Sequence, residues 1–249
     1  MILFLMIPAI ICYLIITLYA FAFLICAVIC KRERKHHRII VNVQKPLGGG
    51  TASKSDNVKN KGFIGRIYSK LYPYFYGLIR YMSIVVGRIP SHHIRKVILQ
   101  KIFCMDIDPN AIIYGGFEIR SPWNITIGRS VIGVGALLDG RKGIVIEDDV
   151  CFAQAVSIYT EQHDVNDPLF RTNNKGGVVV VKKHAWVSSK TTVLPKCVVE
   201  EGSVIASGAT LTKSTIPYGV YAGLPAKLVS KREESMEYTL GGKNYWHFY

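Results

Sequence analysis

The stretch that decides the fold is VKKHAWVSSKTTVLPKCVVEEGSVIASGATL, residues 181–211. Large aliphatic side chains recur in it at every sixth position: Val181, Val187, Val193, Val199, Ile205 and Leu211. A small or thin side chain precedes the last five of these by two residues: Ala185, Thr191, Cys197, Ser203 and Ala209. A period of six fits neither an α-helix nor an ordinary strand, but it suits short strands that coil into a triangular prism. Aliphatic side chains would fill this prism and small ones its corners, so the pattern predicts a parallel β-helix.

The same phase continues upstream of this stretch. Ile146, Phe152 and Ile158 keep the aliphatic or aromatic position, and Ile132 and Leu138 follow it more loosely. An antiparallel sandwich also uses strands rich in Val and Ile. Its turns, however, recur every 8 to 12 residues or so. They do not follow a strict repeat of six residues, which we call a hexad. The hexads therefore favour the β-helix.

The hexads resemble those of the hexapeptide-repeat acyltransferases, and the resemblance runs from about Ser91 to Arg232. Short motifs occur in the order that this family shows: ITIG (125–128), LLDG (137–140), TEQHDVNDP (160–168), AWV (185–187), VLP (193–195), LTK (211–213) and AGLPAK (222–227). They are most similar to bacterial O-acetyltransferases of capsule, exopolysaccharide and O-antigen synthesis, which are related to the maltose and galactoside acetyltransferases. The resemblance, rather than the hexads, implies a left-handed coil.

The resemblance implies transfer of an acetyl group from acetyl-CoA to a hydroxyl of a saccharide. The hexads break once, between Ile158 and Val178, and the family carries its catalytic base on this loop, where His163 stands within TEQHD. A sugar hydroxyl is a poor nucleophile at neutral pH, and a neutral imidazole can take its proton. We expect the neighbouring Asp164 to orient or neutralise the ring, with both residues catalytic.

The remaining site residues also follow from the resemblance. Asp139 of LLDG is expected to contact the acceptor hydroxyl, and Trp186 to wall the active site or simply to cover the coil. In the family, CoA lies in a groove between neighbouring subunits, which implies a homotrimer. The matching positions for the cofactor are Ser189, Ser207, Gly208, Lys213 and Lys227, where the two lysines would face the CoA phosphates.

Two other functions compete with the acetyltransferase. A zinc carbonic anhydrase on the same fold would need three histidines around the metal, but only His163 and His184 lie within the hexads, so no metal is expected. A membrane-tethered scaffold without catalysis is the second alternative. The loop around His163 and the motifs LTK and LPAK argue against it, although a binding role without turnover stays open.

The first 30 residues predict a transmembrane anchor. Ile2 to Ile29 contain no charged side chain, and 28 residues at about 1.5 Å each exceed a hydrocarbon thickness of about 30 Å. A cleaved signal peptide would begin with a positive region, which is missing here. The cations that follow would be cytoplasmic by the positive-inside rule, which predicts a single-pass protein of the bacterial inner membrane with a cytoplasmic catalytic domain. They are Lys31, Arg32, Arg34, Lys35 and Arg38.

Charge suggests a further partner. The chain has 31 Lys and Arg against 17 Asp and Glu, a formal net charge of +14. No nucleic-acid motif accompanies this charge, and the cations cluster beside the anchor, so an anionic membrane surface is the better explanation.

The composition divides the chain into five parts. After the anchor at 1–30 come a basic juxtamembrane segment with a flexible linker at 31–62, an amphipathic helical region at 63–105, the β-helix domain at 106–232 and a tail at 233–249. The cations in 63–105 suit either a helix on the membrane surface or helices that cap the open end of the β-helix, and both can hold together.

Overall fold

The computed structural model describes residues 2–43, 63–172 and 176–241. The predicted linker at 44–62 and the end of the tail at 242–249 lie outside the described residues. Three helices precede the strands: α1 (Ile2–Val43), α2 (Phe63–Gly87) and α3 (His92–Lys101). The first helix continues well past the apolar segment and includes the basic juxtamembrane residues.

Short strands then form five complete coils of three strands and part of a sixth. In coil order they are β1 (Asp106–Ile107), β2 (Ile112–Ile113), β3 (Glu118–Arg120); β4 (Ile125–Ile127), β5 (Val131–Ile132), β6 (Leu137–Asp139); β7 (Ile144–Ile146), β8 (Cys151–Phe152), β9 (Ser157–Ile158); β10 (Val179–Val181), β11 (Trp186–Val187), β12 (Thr192–Val193); β13 (Val198–Val199), β14 (Val204–Ile205), β15 (Thr210–Leu211); β16 (Gly219–Ala222) and β17 (Lys227–Lys231).

Strands of successive coils pair in parallel and make three sheets. The first sheet has the order β1-β4-β7-β10-β13, and the third has β3-β6-β9-β12-β15. The second contains β2-β5-β8-β11-β14-β16, and β17 closes it with an antiparallel pair. We name the three edges of the prism by the sheets they join: the 1–2 edge, the 2–3 edge and the 3–1 edge.

The hexads fill the interior as predicted. Val181 aligns with Val199, and the six aliphatic residues at the repeat positions of the stretch at 181–211 are at most 1% exposed. Upstream, Ile132 aligns with Phe152 in the same position. Full burial of each such side chain stabilises the fold by about 1.5–3 kcal/mol. The parallel β-helix is therefore confirmed, and its period comes from one inward side chain on each strand.

The edges turn tightly, which requires left-handed backbone conformations. At the 2–3 edge, Ala155, Lys190 and Gly208 have φ of 54°, 58° and 71°. Each of these turns leads straight into the next strand. At the 3–1 edge the turns are of the same length, except between β9 and β10, where the chain forms the polar loop that interrupts the hexads.

The helices cap the first coil. Tyr68 of α2 donates a hydrogen bond to Glu33 of α1 at 2.8 Å, and at the other end of the pair Tyr19 lies in hydrogen-bonding range of Tyr81. The two helices therefore run antiparallel. The hydroxyl of Ser83 contacts the backbone of Ile119 in β3, so α2 packs on the third sheet.

The candidate membrane span is only partly free of the protein. By length and composition, Ile10–Lys35 of α1 could cross a membrane. Every side chain from Ile10 to Leu18 is exposed, whereas beyond Leu18 one face of α1 is covered. Cys26 and Cys30 are fully buried there. The turns of α1 from Ile10 to Leu18 thus stand clear of the protein, and the following turns are part of the cap.

The C-terminal residues 232–241 return along the 1–2 edge, and we call them the strap. The Tyr238 hydroxyl donates to the carbonyl of His184 at 2.9 Å, and the His184 Nε2 lies 3.0 Å from the Tyr238 carbonyl. The backbone N–H of Leu240 donates to Asp149 Oδ1 at 2.7 Å. The strap thereby ties the last coil to earlier ones.

Candidate active site

The polar loop leaves the β-helix at the 3–1 edge, between β9 and β10. At its neck, the buried hydroxyl of Thr160 donates to the carbonyl of Asp139 at 2.6 Å and accepts from the N–H of Lys142 at 2.9 Å. The Gly177 N–H donates to the Thr160 carbonyl at 2.8 Å and closes the neck. The loop is therefore anchored to the turn of the coil below it.

Hydrogen bonds inside the loop fix its shape. The N–H of Asp164 donates to the Arg171 carbonyl at 2.8 Å, and the N–H of Phe170 donates to the Asp167 carbonyl at 2.8 Å. Arg171 pairs with the Asp167 carboxylate at 2.9 Å, and that carboxylate is only 1% exposed. A loop held this way can present a side chain in a defined orientation.

His163 is the side chain that this loop presents. Its Nδ1 lies 2.5 Å from the carbonyl oxygen of Phe170, and its ring stacks on the Phe170 ring with centroids 4.2 Å apart and planes 4° apart. A carbonyl oxygen can only accept, so Nδ1 carries the proton in this contact. The lone pair of a neutral ring is then on Nε2, which suits it to act as a general base.

The neighbouring Asp164 has a local role that the sequence did not reveal. One of its carboxylate oxygens accepts from the N–H of Asn166 at 3.1 Å, which stabilises the turn of the loop. Its catalytic role stays a prediction, whereas the hydrogen bond from His163 goes to Phe170.

A cluster of charges lies at the foot of the loop. Arg141 Nη2 is 2.7 Å from Asp139 Oδ2, and Arg141 Nη1 is 3.0 Å from Glu161 Oε2. Lys142 Nζ lies 3.3 Å from Glu161 Oε1. The hydrogen bond to Asp139 is the main cause that raises the pKa of Arg141, which keeps the guanidinium charged.

The cluster changes how Asp139 could act. Its carboxylate is completely buried behind Arg141, so a direct contact with an acceptor would require Arg141 to move. We therefore expect Asp139 to hold Arg141, which would face the acceptor in its place. The sequence did not predict a role for three members of this cluster, Arg141, Lys142 and Glu161. Charged residues that flank LLDG and HD are common in ordinary solvated turns.

Two buried polar atoms border this cluster without a well-formed hydrogen bond: Tyr76 Oη of α2 and Asn124 Oδ1. The Asn124 amide nitrogen contacts the Arg141 carbonyl at 3.4 Å. Burial raises the pKa of Tyr76, a weak contact with Ser121 opposes this shift, and both Asp139 and Arg141 act on the hydroxyl electrostatically. Buried groups with poorly formed hydrogen bonds are costly, and a bound hydroxyl compound could satisfy them.

Three predicted cofactor residues lie together on a different edge. Ser189, Ser207 and Gly208 occupy the 2–3 edge in two successive coils, where the Gly208 N–H donates to the Ser189 carbonyl at 2.9 Å. A Cβ atom at Gly208 would point into open space, with no contact within 4 Å. Lys227 begins β17 near the same edge. The N–H of the preceding residue, Ala226, donates to the carbonyl of Thr210 at the start of β15, at 2.8 Å. These small residues leave a shallow surface along the coil.

Lys213 and Trp186 lie apart from that group. Lys213 follows β15 at the 3–1 edge and is exposed. Trp186 points outward from β11 on the second sheet and is 46% exposed. Across residues 2–43, 63–172 and 176–241, no group of three or more His, Cys, Asp or Glu side chains is arranged to hold a metal ion.

Solved structures share this fold. The hexapeptide-repeat acetyltransferase VCA0836 of Vibrio cholerae O1 biovar eltor, in complex with acetyl-CoA, has a TM-score of 0.55 and 16% identity, covering 62% of this chain and 85% of that one. A maltose O-acetyltransferase of Clostridium difficile 630 has a TM-score of 0.54 and 22% identity, covering 62% and 87%. At these identities the likeness shows the fold.

Sequence similarity shows the family. No family model matches the chain. SAR2635 of Staphylococcus aureus strain MRSA252 is 30% identical to this chain over 143 residues. That protein is named for an inferred acetyltransferase activity, and the match spans 55% of this chain and 69% of the relative. The chain belongs to the hexapeptide-repeat acyltransferases. It is therefore an enzyme of acyl transfer.

In this hexapeptide-repeat acyltransferase, the predicted site residues fall on two edges of the chain. His163, Asp164, Asp139 and Lys213 lie at the 3–1 edge, whereas Ser189, Ser207 and Gly208, which are predicted to hold the cofactor, lie at the 2–3 edge. A full hexad of about 20 Å at most separates the edges along the third sheet. The predicted base and the predicted cofactor surface therefore lie on different edges of one chain.

Proposed function

We propose that this acyltransferase moves an acetyl group from acetyl-CoA to a hydroxyl of a saccharide, lipid-linked or nucleotide-linked, in the synthesis of a bacterial surface polysaccharide. The observation that carries the proposal is the His163 ring, whose Nδ1 is held by the Phe170 carbonyl at 2.5 Å while the side chain stays exposed. This arrangement leaves Nε2 for an incoming hydroxyl.

The reaction needs one proton to move twice. The Nε2 of His163 takes the hydroxyl proton while the sugar oxygen attacks the thioester carbonyl. The new C–O bond forms, the C–S bond breaks, and the imidazolium returns the proton to the leaving thiolate. No covalent enzyme intermediate is required, because the thioester is already activated.

The cofactor residues follow the same proposal. Ser189, Ser207 and Gly208 would hold the pantetheine arm through the backbone of the 2–3 edge, and Lys213 and Lys227 would face the phosphates of CoA. Trp186 would wall the site from the outer face of the second sheet. The acetyl-CoA complex of VCA0836 supports this cofactor, and no step calls for a metal.

The acceptor would be held at the 3–1 edge. Arg141, fixed by Asp139, and Glu161 offer a donor and an acceptor beside the neck of the His163 loop. Saccharide hydroxyls both donate and accept hydrogen bonds, so this pair suits them. The fold shared with a maltose O-acetyltransferase supports a saccharide as the acceptor class.

Assembly and location complete the proposal. The division of the site between two edges supports a homotrimer, in which the 3–1 edge of one copy would meet the 2–3 edge of the next. The exposed turns of α1 from Ile10 to Leu18 support anchoring in the bacterial inner membrane by a single pass, with the basic segment and the β-helix in the cytoplasm, where acetyl-CoA is made.

A direct experiment tests the proposal. Membranes that contain the full chain are incubated with acetyl-CoA labelled in the acetyl group, and the label is followed into the lipid extract and into the water-soluble saccharides. We expect the label to appear in a saccharide with the parent protein and to be missing from that saccharide with His163→Ala. No release of CoA and no acetylated product would favour the alternative of a non-catalytic scaffold. Release of CoA without acetylated saccharide would show hydrolysis of the thioester and would count against a saccharide acceptor.

A further inference from the structure

The anchor and the candidate catalytic loop lie on the same edge of the β-helix. α1 packs against the turn at Pro122–Asn124, which belongs to the 3–1 edge of the first coil. The turn with Arg141 follows in the second coil, and the His163 loop leaves from the third. Successive coils are about 4.8 Å apart, so the neck of the loop is only about 10 Å from the helical cap.

The second helix carries an exposed apolar stripe. Its members are separated by four, four, three and seven residues, which places them on one helix face. They are Phe63, Ile67, Leu71, Tyr74 and Tyr81, exposed by 75%, 42%, 42%, 75% and 54%. Arg66 and Lys70 flank this stripe and are exposed. The opposite face of α2, with Ile79 and Ser83, is buried on the β-helix.

The candidate span of α1 brings the bilayer to this stripe. The span is Ile10–Lys35, and its fully exposed part, Ile10 to Leu18, covers only about 9 × 1.5 Å, or about 14 Å, of a hydrocarbon layer about 30 Å thick. A bilayer that this span crosses therefore also reaches the turns of α1 that follow Leu18. On the following turns of α1, a line of side chains is exposed and apolar: Phe21, Leu24 and Val28. α2 runs antiparallel beside these turns.

Charge favours lipid over a second copy as the occupant of the stripe. Arg66, Lys70, Lys31 and Lys35 are exposed near one end of the helix pair, where they would face anionic headgroups. Tyr74 and Tyr81 are the aromatic type that prefers the headgroup level. A second copy would bring the same cations together and would be repelled.

The same helix reaches the acceptor side of the site. Tyr76 lies on α2 between the stripe residues Tyr74 and Tyr81, yet its hydroxyl is buried beside the cluster of Asp139 and Arg141. One helix, about 10 Å in diameter, therefore separates the proposed lipid surface from the proposed acceptor pocket.

We propose that the exposed stripe of α2 contacts an anionic bilayer beside α1 and that the acceptor is a saccharide carried on a lipid, delivered to the 3–1 edge from that bilayer. The inference rests on the proposed function for its acceptor class. Its membrane contact is independent of activity, so the two can fail separately.

The membrane contact is tested by fluorescence quenching. Tyr74→Trp and, as a matched control on the outer face of β12, Thr192→Trp are made in the full chain and placed in vesicles of phosphatidylcholine and phosphatidylglycerol with brominated acyl chains. After subtraction of the parent signal, we expect Trp at 74 to be quenched at least about threefold more strongly than Trp at 192. Equal quenching at the two positions would overturn the membrane contact.

The acceptor class is tested with two probes that share one head group, maltose and maltose joined to a dialkyl lipid in the same vesicles. We expect the double variant Ile67→Asp with Leu71→Asp to lose about tenfold in acetylation of the lipid probe and less than about twofold with free maltose, because the stripe acts through local concentration. Thr192→Asp should alter neither rate.

Three other results have defined meanings. Equal loss on both maltose probes would show that the stripe supports folding, which overturns the role in delivery. Parent enzyme that acetylates free maltose and not the lipid probe would overturn the lipid-borne acceptor. Parent enzyme that acetylates neither would count against the proposed function, while the quenching result would still decide the membrane contact.

Discussion

The Nδ1 atom of His163 lies 2.5 Å from the carbonyl oxygen of Phe170, and the two rings stack with their centroids 4.2 Å apart. Seven residues separate the pair in sequence, so the loop folds back on itself to make this contact. The carbonyl sets the tautomer and the stacked ring sets the plane of the imidazole. Both constraints serve a base that must meet its substrate at a fixed angle.

Replacement of the base should abolish most turnover. We expect His163→Ala to lower kcat by about a hundredfold to ten thousandfold, the usual contribution of a general base, with acetyl-CoA affinity nearly unchanged. Steady-state rates and calorimetric titration with CoA measure the two effects. His93→Ala, which removes an exposed imidazole from α3, serves as the control. An unchanged kcat for His163→Ala would place the base elsewhere.

Loss of the stacked ring should have a smaller effect. Phe170→Ala keeps the backbone carbonyl that holds Nδ1 and removes only the aromatic support, so we expect kcat to fall by about tenfold with little change in KM for acetyl-CoA. Val165→Ala, at an 87% exposed position of the same loop, should leave kcat within about twofold. Equal losses for the two variants would mean that the ring of Phe170 does not position His163.

The two lysines should be distinguishable through the 3′-phosphate of the cofactor. Lys213→Ala should weaken binding of acetyl-CoA more than binding of an analogue without that phosphate, because a cation contributes most when its anion is present. Lys227→Ala is the comparison, since Lys227 lies nearer the 2–3 edge. Competition binding with both compounds measures the difference. The same loss for both would show that Lys213 does not contact that phosphate.

The contact between the strap and Asp149 should make the free energy of unfolding depend on pH. Burial alone would raise the pKa of Asp149, but the hydrogen bonds from Arg129 and the Leu240 N–H, with the charges of Arg129 and His184, outweigh it and lower the pKa. A lowered folded-state pKa stabilises the fold above the unfolded value of about 3.9, and this contribution is lost as the pH falls through the folded value.

Asp149→Asn should therefore lower the free energy of unfolding at pH 7 by about 1–3 kcal/mol, and the difference from the parent should shrink below about pH 4. Asn tolerates the φ of 57° at this position, so the variant tests the charge. Denaturant unfolding at several pH values measures the effect. Asp106→Asn, at an exposed position of β1, should change little; a constant difference at every pH would rule out the ionised carboxylate as the cause.

The sequence predicted the coil well because its signal is local. One inward side chain on each strand repeats from Val181 to Leu211, and the loop that carries His163 is visible as the point where this repeat fails. The ion pair in which Arg141 covers the buried carboxylate of Asp139 could not be predicted from the sequence, because both charges occupy a turn where solvated residues are common. The strap was also missed, because its contacts join Tyr238 to His184 across 54 residues without a pattern.

The separation of the two edges leads to a test of the trimer by complementation. His163→Ala removes the base at the 3–1 edge, and Ser207→Trp would block the cofactor surface at the 2–3 edge, so each variant alone should be nearly inactive. If each site combines the base of one copy with the cofactor surface of the next, mixed trimers of the two variants regain intact sites. With random mixing, half of the copies supply the base and half supply the surface, so about a quarter of the parent activity should return. Co-expression with two affinity tags, followed by rate measurement, checks this. Mixed assemblies that stay inactive would show that each site is built within one chain, and the homotrimer would lose its main support.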